Sequence, residues 1–254
     1  DRQWTGLGSQ DTTSWAARDA DRVYVNLDLN GGAAGGAYDR VEVGGYALTA
    51  RALNGAPEIN DFIGWCVDLF TNVKGGTESR DVNIATTGTA PEMGAFGAPT
   101  SRSLIDETRL SAVEDLFEYN YPLLTRTNEA GERAKLAGFQ VAIWELLYEN
   151  GTDNSVSTGS FSLTDAYTGS NTDRDADDAT MFTDVKAAAN LFLTNMSSGG
   201  ARLADYDFTY FTDKSDAPSQ TLVTPTPSPV PVPVPALLLL GGLGALAAMR
   251  RRKA

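Results

Sequence analysis

The stretch 61–71 (DFIGWCVDLFT) constrains the fold more than any other part of this chain, because it is apolar on both faces of an extended backbone. Ile63, Trp65, Val67 and Leu69 fall on one pleat face, while Phe62, Cys66 and Phe70 share the other with Asp68. A strand patterned this way must be covered on both sides. The chain therefore has to build at least two layers around it, and Cys66 belongs inside. Asp68 follows two residues later on the Cys66 face.

A second stretch, 138–148 (GFQVAIWELLY), carries helical spacing and sits in a longer pattern opened by Asn128 as a cap and closed by Asn150-Gly151. Lys135, Gly138, Ala142, Glu145 and Glu149 recur at intervals of three and four, which predicts one narrow wet face. Gln140 lies about 200° from Ala142 around the helix, so it points inward with Leu136, Ile143, Trp144 and Leu147. A buried amide costs on the order of a few kcal/mol unless something satisfies it. What Gln140 meets inside is the question the sequence poses.

Composition closes off many answers. There is no His, which excludes Ser-His and Cys-His nucleophile pairs and His-ligated zinc. With Cys66 as the single Cys, neither an intrachain disulfide nor a thiolate cluster can form. The formal charge is −13, and the remainder of the chain is still more acidic once Arg250, Arg251, Arg252 and Lys253 are set aside. Such a surface repels nucleic acid and anionic membranes. The 254 residues, 42% hydrophobic, suffice for one sizeable domain with appendages. The chain begins at Asp1 rather than Met, as expected of numbering from a processed or trimmed start.

Along the chain, residues 1–20 are polar and Gly/Ser-rich and are expected to cover an edge of the domain. The alternating runs 22–29 and 40–50 predict a hairpin at the start of a sheet, with Gly44-Gly45 a bulge or bend. Residues 74–102 read as loop. Ser103-Leu104-Ile105-Asp106 resembles a capping box and opens a helix with a Leu110, Val113, Leu116, Phe117 stripe that ends before Pro122. Phe161-Ser162-Leu163 is a short strand candidate. Met181, Val185, Ala188, Phe192 and Met196 mark a third helix, stopped by Gly199-Gly200. The runs 206–211 and 220–223 read as closing strands. Asp173, Asp175, Asp177 and Asp184 occupy positions 1, 3, 5 and 12 of a calcium-loop template, although Asp178 stands where the template needs Gly and Asp184 where it has Glu. A solvated acidic loop is the plainer reading of these residues.

These elements predict an α+β domain over residues 1–223, a β-rich sandwich or barrel-like body with an α-helical insertion. Residues 224–235, with Pro at nearly every second position, read as a stiff polyproline II linker. Residues 236–254 form a short hydrophobic segment closed by the basic cluster, read either as a plain membrane anchor or as a removable sorting segment that contacts the membrane transiently through 236–249.

The tail, with Val232-Pro233-Val234-Pro235-Ala236, a short apolar run and Arg250-Arg251-Arg252, resembles the PEP-CTERM/VPxPA-type sorting tails of Gram-negative bacteria. That resemblance implies export, processing by an exosortase and a place at the cell surface or in the biofilm matrix. The body, with Trp65-Cys66-Val67-Asp68 and, far downstream, Phe139-Gln140-Val141-Ala142-Ile143-Trp144, resembles the thioester domains of bacterial surface adhesins. The family commonly has Thr where this chain has Phe139, and Tyr or Phe where it has Trp65.

The resemblance implies an internal thioester between Cys66 and Gln140, formed with loss of ammonia and then opened by an amine on a surface protein or matrix component. In such a scheme Asp68 is a candidate base, or else a carboxylate bonded to backbone amides. Trp144 and Trp65 are candidate shields against water, or else plain core. No cofactor is expected, and the protein would act once per molecule rather than as an enzyme. Two other readings stand beside this one: a structural matrix protein in which Cys66 and Gln140 merely pack, and a Cys hydrolase, which would lack a His partner.

Overall fold

A computed structural model of the protein describes residues 2–6, 22–27, 38–52, 59–67, 69, 79–86, 107–124, 130–149, 154–164, 176–213 and 221–228. The strands are β1 (Arg2–Gly6), β2 (Arg22–Leu27), β3 (Tyr38–Glu42), β4 (Tyr46–Ala52), β5 (Ile59–Cys66), β6 (Ser79–Thr86), β7 (Phe161–Thr164), β8 (Tyr206–Asp213) and β9 (Leu222–Pro227). The helices are α1 (Glu107–Asn120), α2 (Ala130–Tyr148) and α3 (Ala176–Ser197). The expected α+β class is met.

Strand pairing is antiparallel and follows two paths. In the first, β1-β4-β5-β9-β8-β6 pair in that order, and β6 returns to β1. In the second, β2 lies between β3 and β7. Helices α1 and α2 fall between β6 and β7, and α3 between β7 and β8, so the helical part is inserted between strands as the sequence suggested.

The run 40–50 does not continue as one strand. Val43, Gly44 and Gly45 are buried at the crossing point, and Gly44 has φ 138°, a conformation L side chains rarely adopt. The chain turns there from β3 in one sheet to β4 in the other, so only β2 and β3 form the predicted hairpin. Gly45 has no room for a side chain: a Cβ would sit 2.5 Å from Ile63 Cγ2.

Two segments carry more order than their composition announces. Residues 2–6 do not cover an edge; they form β1, paired on one side with β4 and on the other with β6. Residues 79–86, expected as loop, form β6 and pair with both β1 and β8. Each offers one or two apolar residues, Trp4 in the first and Val82 and Ile84 in the second, and backbone pairing with neighbours far along the chain supplies what local pattern lacks.

The expected linker also starts later than 224. Strand β9 runs through Pro227, and Thr224, Pro225, Thr226 and Pro227 all pair with β8. A proline cannot donate to a ladder. Here Pro225 and Pro227 share the parity of Thr221, whose carbonyl accepts from Val67 N–H on the β5 side. Strand β5 pairs with β9 only at Leu222 and Val223, so the donor-less side of both prolines faces a stretch where that pairing has stopped.

The core lies where α2 meets β5, α1 and α3. Of the expected wet face only Lys135 is exposed: α2 is buried all round from Leu136 onward, and Gly138, Ala142, Glu145 and, just past its end, Glu149 are all covered. Its small residues seat α3, for Gly138 lies so close that a Cβ would be 2.7 Å from Ala188 Cβ and 2.9 Å from the Val185 carbonyl oxygen. Its carboxylates hold the chain around 154–161. Glu145 Oε1 accepts from Ser155 N–H at 3.0 Å, and Glu149 accepts from the Ser160 hydroxyl at 3.0 Å and Phe161 N–H at 3.2 Å. Asn120 joins α1 to α3: its side-chain amide donates to the Leu116 and Phe192 carbonyls at 3.1 Å and accepts from Asn195 at 2.9 Å.

Candidate functional site

The end of β5 and the middle of α2 bring Cys66 and Gln140 together across 74 positions of sequence. Strand β5 places Cys66 at its last residue, opposite Leu222 of β9. One edge of this segment is taken by β9, with Val67 N–H donating to the Thr221 carbonyl at 2.9 Å. The other edge is taken by side chains of α2 in place of a strand.

Gln140 provides the first of these contacts. Its Oε1 accepts from Cys66 N–H at 2.8 Å, and its Nε2 donates to the Cys66 carbonyl oxygen at 2.7 Å. The amide thus pairs with both polar groups of one residue, as a neighbouring strand would. Gln140 is 0% exposed and Cys66 1%. The question raised by the sequence is answered: the buried amide meets the backbone of the lone cysteine.

Tyr148, two helical turns further along α2, provides the second contact. Its hydroxyl accepts from Leu69 N–H at 3.0 Å and donates to the Val67 carbonyl at 3.1 Å. Sequence reasoning alone misses this residue. The signal that could have found it is its position, eight residues after Gln140 at the end of an apolar helix, where a buried tyrosine needs a partner for its hydroxyl.

Trp65 and Trp144 are both fully buried, and neither indole N–H has a hydrogen-bond partner among the described residues. Trp65 projects from β5 into an aromatic cluster, with its ring centroid 4.8 Å from Phe139 and 6.4 Å from Phe117. Phe139 in turn meets Phe117 at 4.9 Å and Phe192 at 5.7 Å, edge to face in each case. The residues on either side of the Cys66–Gln140 pairing, Trp65 and Phe139, therefore touch each other.

Asp68 lies outside the described residues, as do Asp173 and Asp175. Asp177 and Asp184 both fall within α3, about two turns apart at about 1.5 Å per residue, and Asp184 is exposed. Among the described residues no group of three or more side chains is arranged to hold a metal ion. Residues 229–254, which include most of the expected linker and the whole hydrophobic segment, likewise lie outside the described residues. No helix among the described residues is long and apolar enough to cross a membrane.

Comparison with known proteins gives weak likenesses. No family model and no curated protein matches the sequence. Among solved structures, the chain is similar to the N-terminal domain of the Streptococcus pyogenes pilus tip adhesin Cpa, at 12% identity and a TM-score of 0.44, covering 88% of this chain and 99% of that one. It is also similar to the N-terminal thioester domain of a surface protein from Clostridium perfringens, at 10% identity and a TM-score of 0.39, covering 89% of this chain and 99% of that one.

Proposed function

We propose that the protein is an exported surface adhesin in which Cys66 and Gln140 condense to an internal thioester that couples covalently to an amine on a partner. The observation that carries this reading is the seating of the Gln140 amide on the backbone of Cys66 in a site closed to water. The sequence motifs around both residues support it, and the tail motif supports export, exosortase processing and transient membrane contact.

In the condensation, the Cys66 sulfur adds to Cδ of Gln140, the Cδ–Nε2 bond breaks, and the thiol proton leaves with the nitrogen as ammonia. As sulfur adds, negative charge gathers on Oε1, the atom that already accepts from Cys66 N–H. Holding the sulfur-bearing residue and the amide together replaces a bimolecular encounter by an oriented one. A thioester so formed is spared hydrolysis while it stays dry. An amine then attacks Cδ, the new amide forms at position 140, and Cys66 recovers its thiol. Nothing restores the acyl group, so each molecule acts once and is not an enzyme.

A second reading is favoured by the same two hydrogen bonds. They satisfy the Gln140 amide completely on its Cys66 side, and a non-covalent clip between α2 and β5 in a surface or matrix protein would look the same. Intact mass separates the two. The thioester reading expects the unaltered chain to be lighter than its sequence by one ammonia, Cys66→Ala to show no deficit, and methylamine to add to the former only. A full-mass chain with a thiol that titrates after denaturation would leave the clip.

A further inference from the structure

We infer that Tyr148 is the positioning residue of the thioester state, its hydroxyl holding the Cys66 segment against α2 once the Gln140 amide has been spent. This role rests on the thioester reading above. The end of β5 is fastened to α2 at two places. Gln140 binds the N–H and carbonyl of Cys66, and Tyr148 binds the carbonyl of Val67 and the N–H of Leu69. Tyr148 lies about two helical turns past Gln140 on α2, and Val67 and Leu69 lie just past Cys66, so both fastenings join the same two segments.

Condensation consumes the first fastening in part. When Cδ–Nε2 breaks and ammonia departs, the donor to the Cys66 carbonyl goes with it, and only the acceptor Oε1 remains on the acyl group. Opening by an amine does not rebuild the original pair, because a substituent now occupies one of the two nitrogen positions. The Tyr148 hydroxyl takes no part in either step, and both its hydrogen bonds survive them. It is a polar tie from α2 to this segment that remains whole through the reaction. A segment held by it keeps the acyl carbon under cover, and a segment released from it exposes that carbon to water.

Tyr148→Phe tests this, since it keeps the buried ring and removes only the hydroxyl. Time-resolved intact mass should show the ammonia deficit in both chains, because Gln140 still seats itself on Cys66 beforehand. Hydrolysis, read as gain of one water, should run about fivefold faster or more in the variant, as expected for loss of a buried hydrogen bond. Melting should separate position from mere stability. Tyr148→Phe should lower Tm more in the thioester-bearing chain than in a Cys66→Ala chain, where the intact amide still holds. Equal Tm shifts with an unchanged hydrolysis rate would overturn the role while leaving the thioester standing. Absence of the ammonia deficit in the unaltered chain would overturn both. Hydrogen exchange at the Leu69 amide reads the same tie without any substitution: protection should be retained when the thioester forms, and its loss would overturn the inference.

Discussion

Residues 138, 139 and 140 stand side by side on α2 and serve three different neighbours. Gly138 admits α3, Phe139 fills the aromatic cluster, and Gln140 binds Cys66. The two places where the sequence departs from the thioester-domain pattern, Trp65 and Phe139, are in edge-to-face contact. Restoring the commoner residue by Phe139→Thr should not help the fold. It should cost about 3–5 kcal/mol by urea denaturation, the range for removing a buried ring. A double-mutant cycle with Trp65→Ala should show coupling of about 0.5–1.5 kcal/mol. Gly138→Ala should cost about 1–3 kcal/mol, because the added methyl meets backbone atoms of α3 that cannot move aside independently.

At the level of elements, what is legible in the sequence is what repeats. The stripe of α1, the third helix from Met181 to Met196, the strand at Phe161 and burial on both faces over 63–67 can all be read from spacing, and the structure has them, although β5 stops at Cys66 short of the expected 71. The inward aim of Gln140 is legible too, because an amide among apolar neighbours announces a partner. Local periodicity does not name that partner, since 74 residues separate Gln140 from Cys66. Beyond Lys135, the wet face expected of α2 is covered for a definite reason. Glu145 and Glu149 look like solvent-facing charges in the sequence, yet they accept from the backbone of Ser155, in what the sequence offers as a polar loop, and of Phe161 at the start of β7. Asn120 shows the same economy between α1 and α3. Asn120→Ala should destabilise by about 1–3 kcal/mol in thermal melting, because Asn195 loses the acceptor that it meets inside.

Across the whole molecule, the acidic balance of −13 and the burial of particular carboxylates act in the same direction with pH. Burial raises the pKa of Glu114 from 4.5, against the lowering effect of the hydrogen bond that it accepts from the Tyr210 hydroxyl. Burial likewise raises Glu118, against the attraction of Arg202. A folded pKa above the unfolded one means that these groups favour folding fully below about pH 4.5, and that the contribution is lost as pH rises through their folded values. Glu114→Gln keeps an acceptor for Tyr210 and removes the charge. Its melting temperature relative to the unaltered chain should therefore climb as pH increases above 4.5 and then level off. A flat difference across that range would show that the Glu114 carboxyl ionises as freely in the fold as outside it.

The late-ending β9 has a mechanical consequence. Any pull transmitted from beyond Pro227 enters the fold through a six-residue strand whose other end, Leu222, is registered directly against Cys66. If the coupling proposed above forms at Gln140, traction between that residue and the chain beyond Pro227 would pass through β9, β5 and α2. The prolines at 225 and 227 mark where such a tug would begin to peel β9 from β8, several residue pairs before the strain arrives at the thiol.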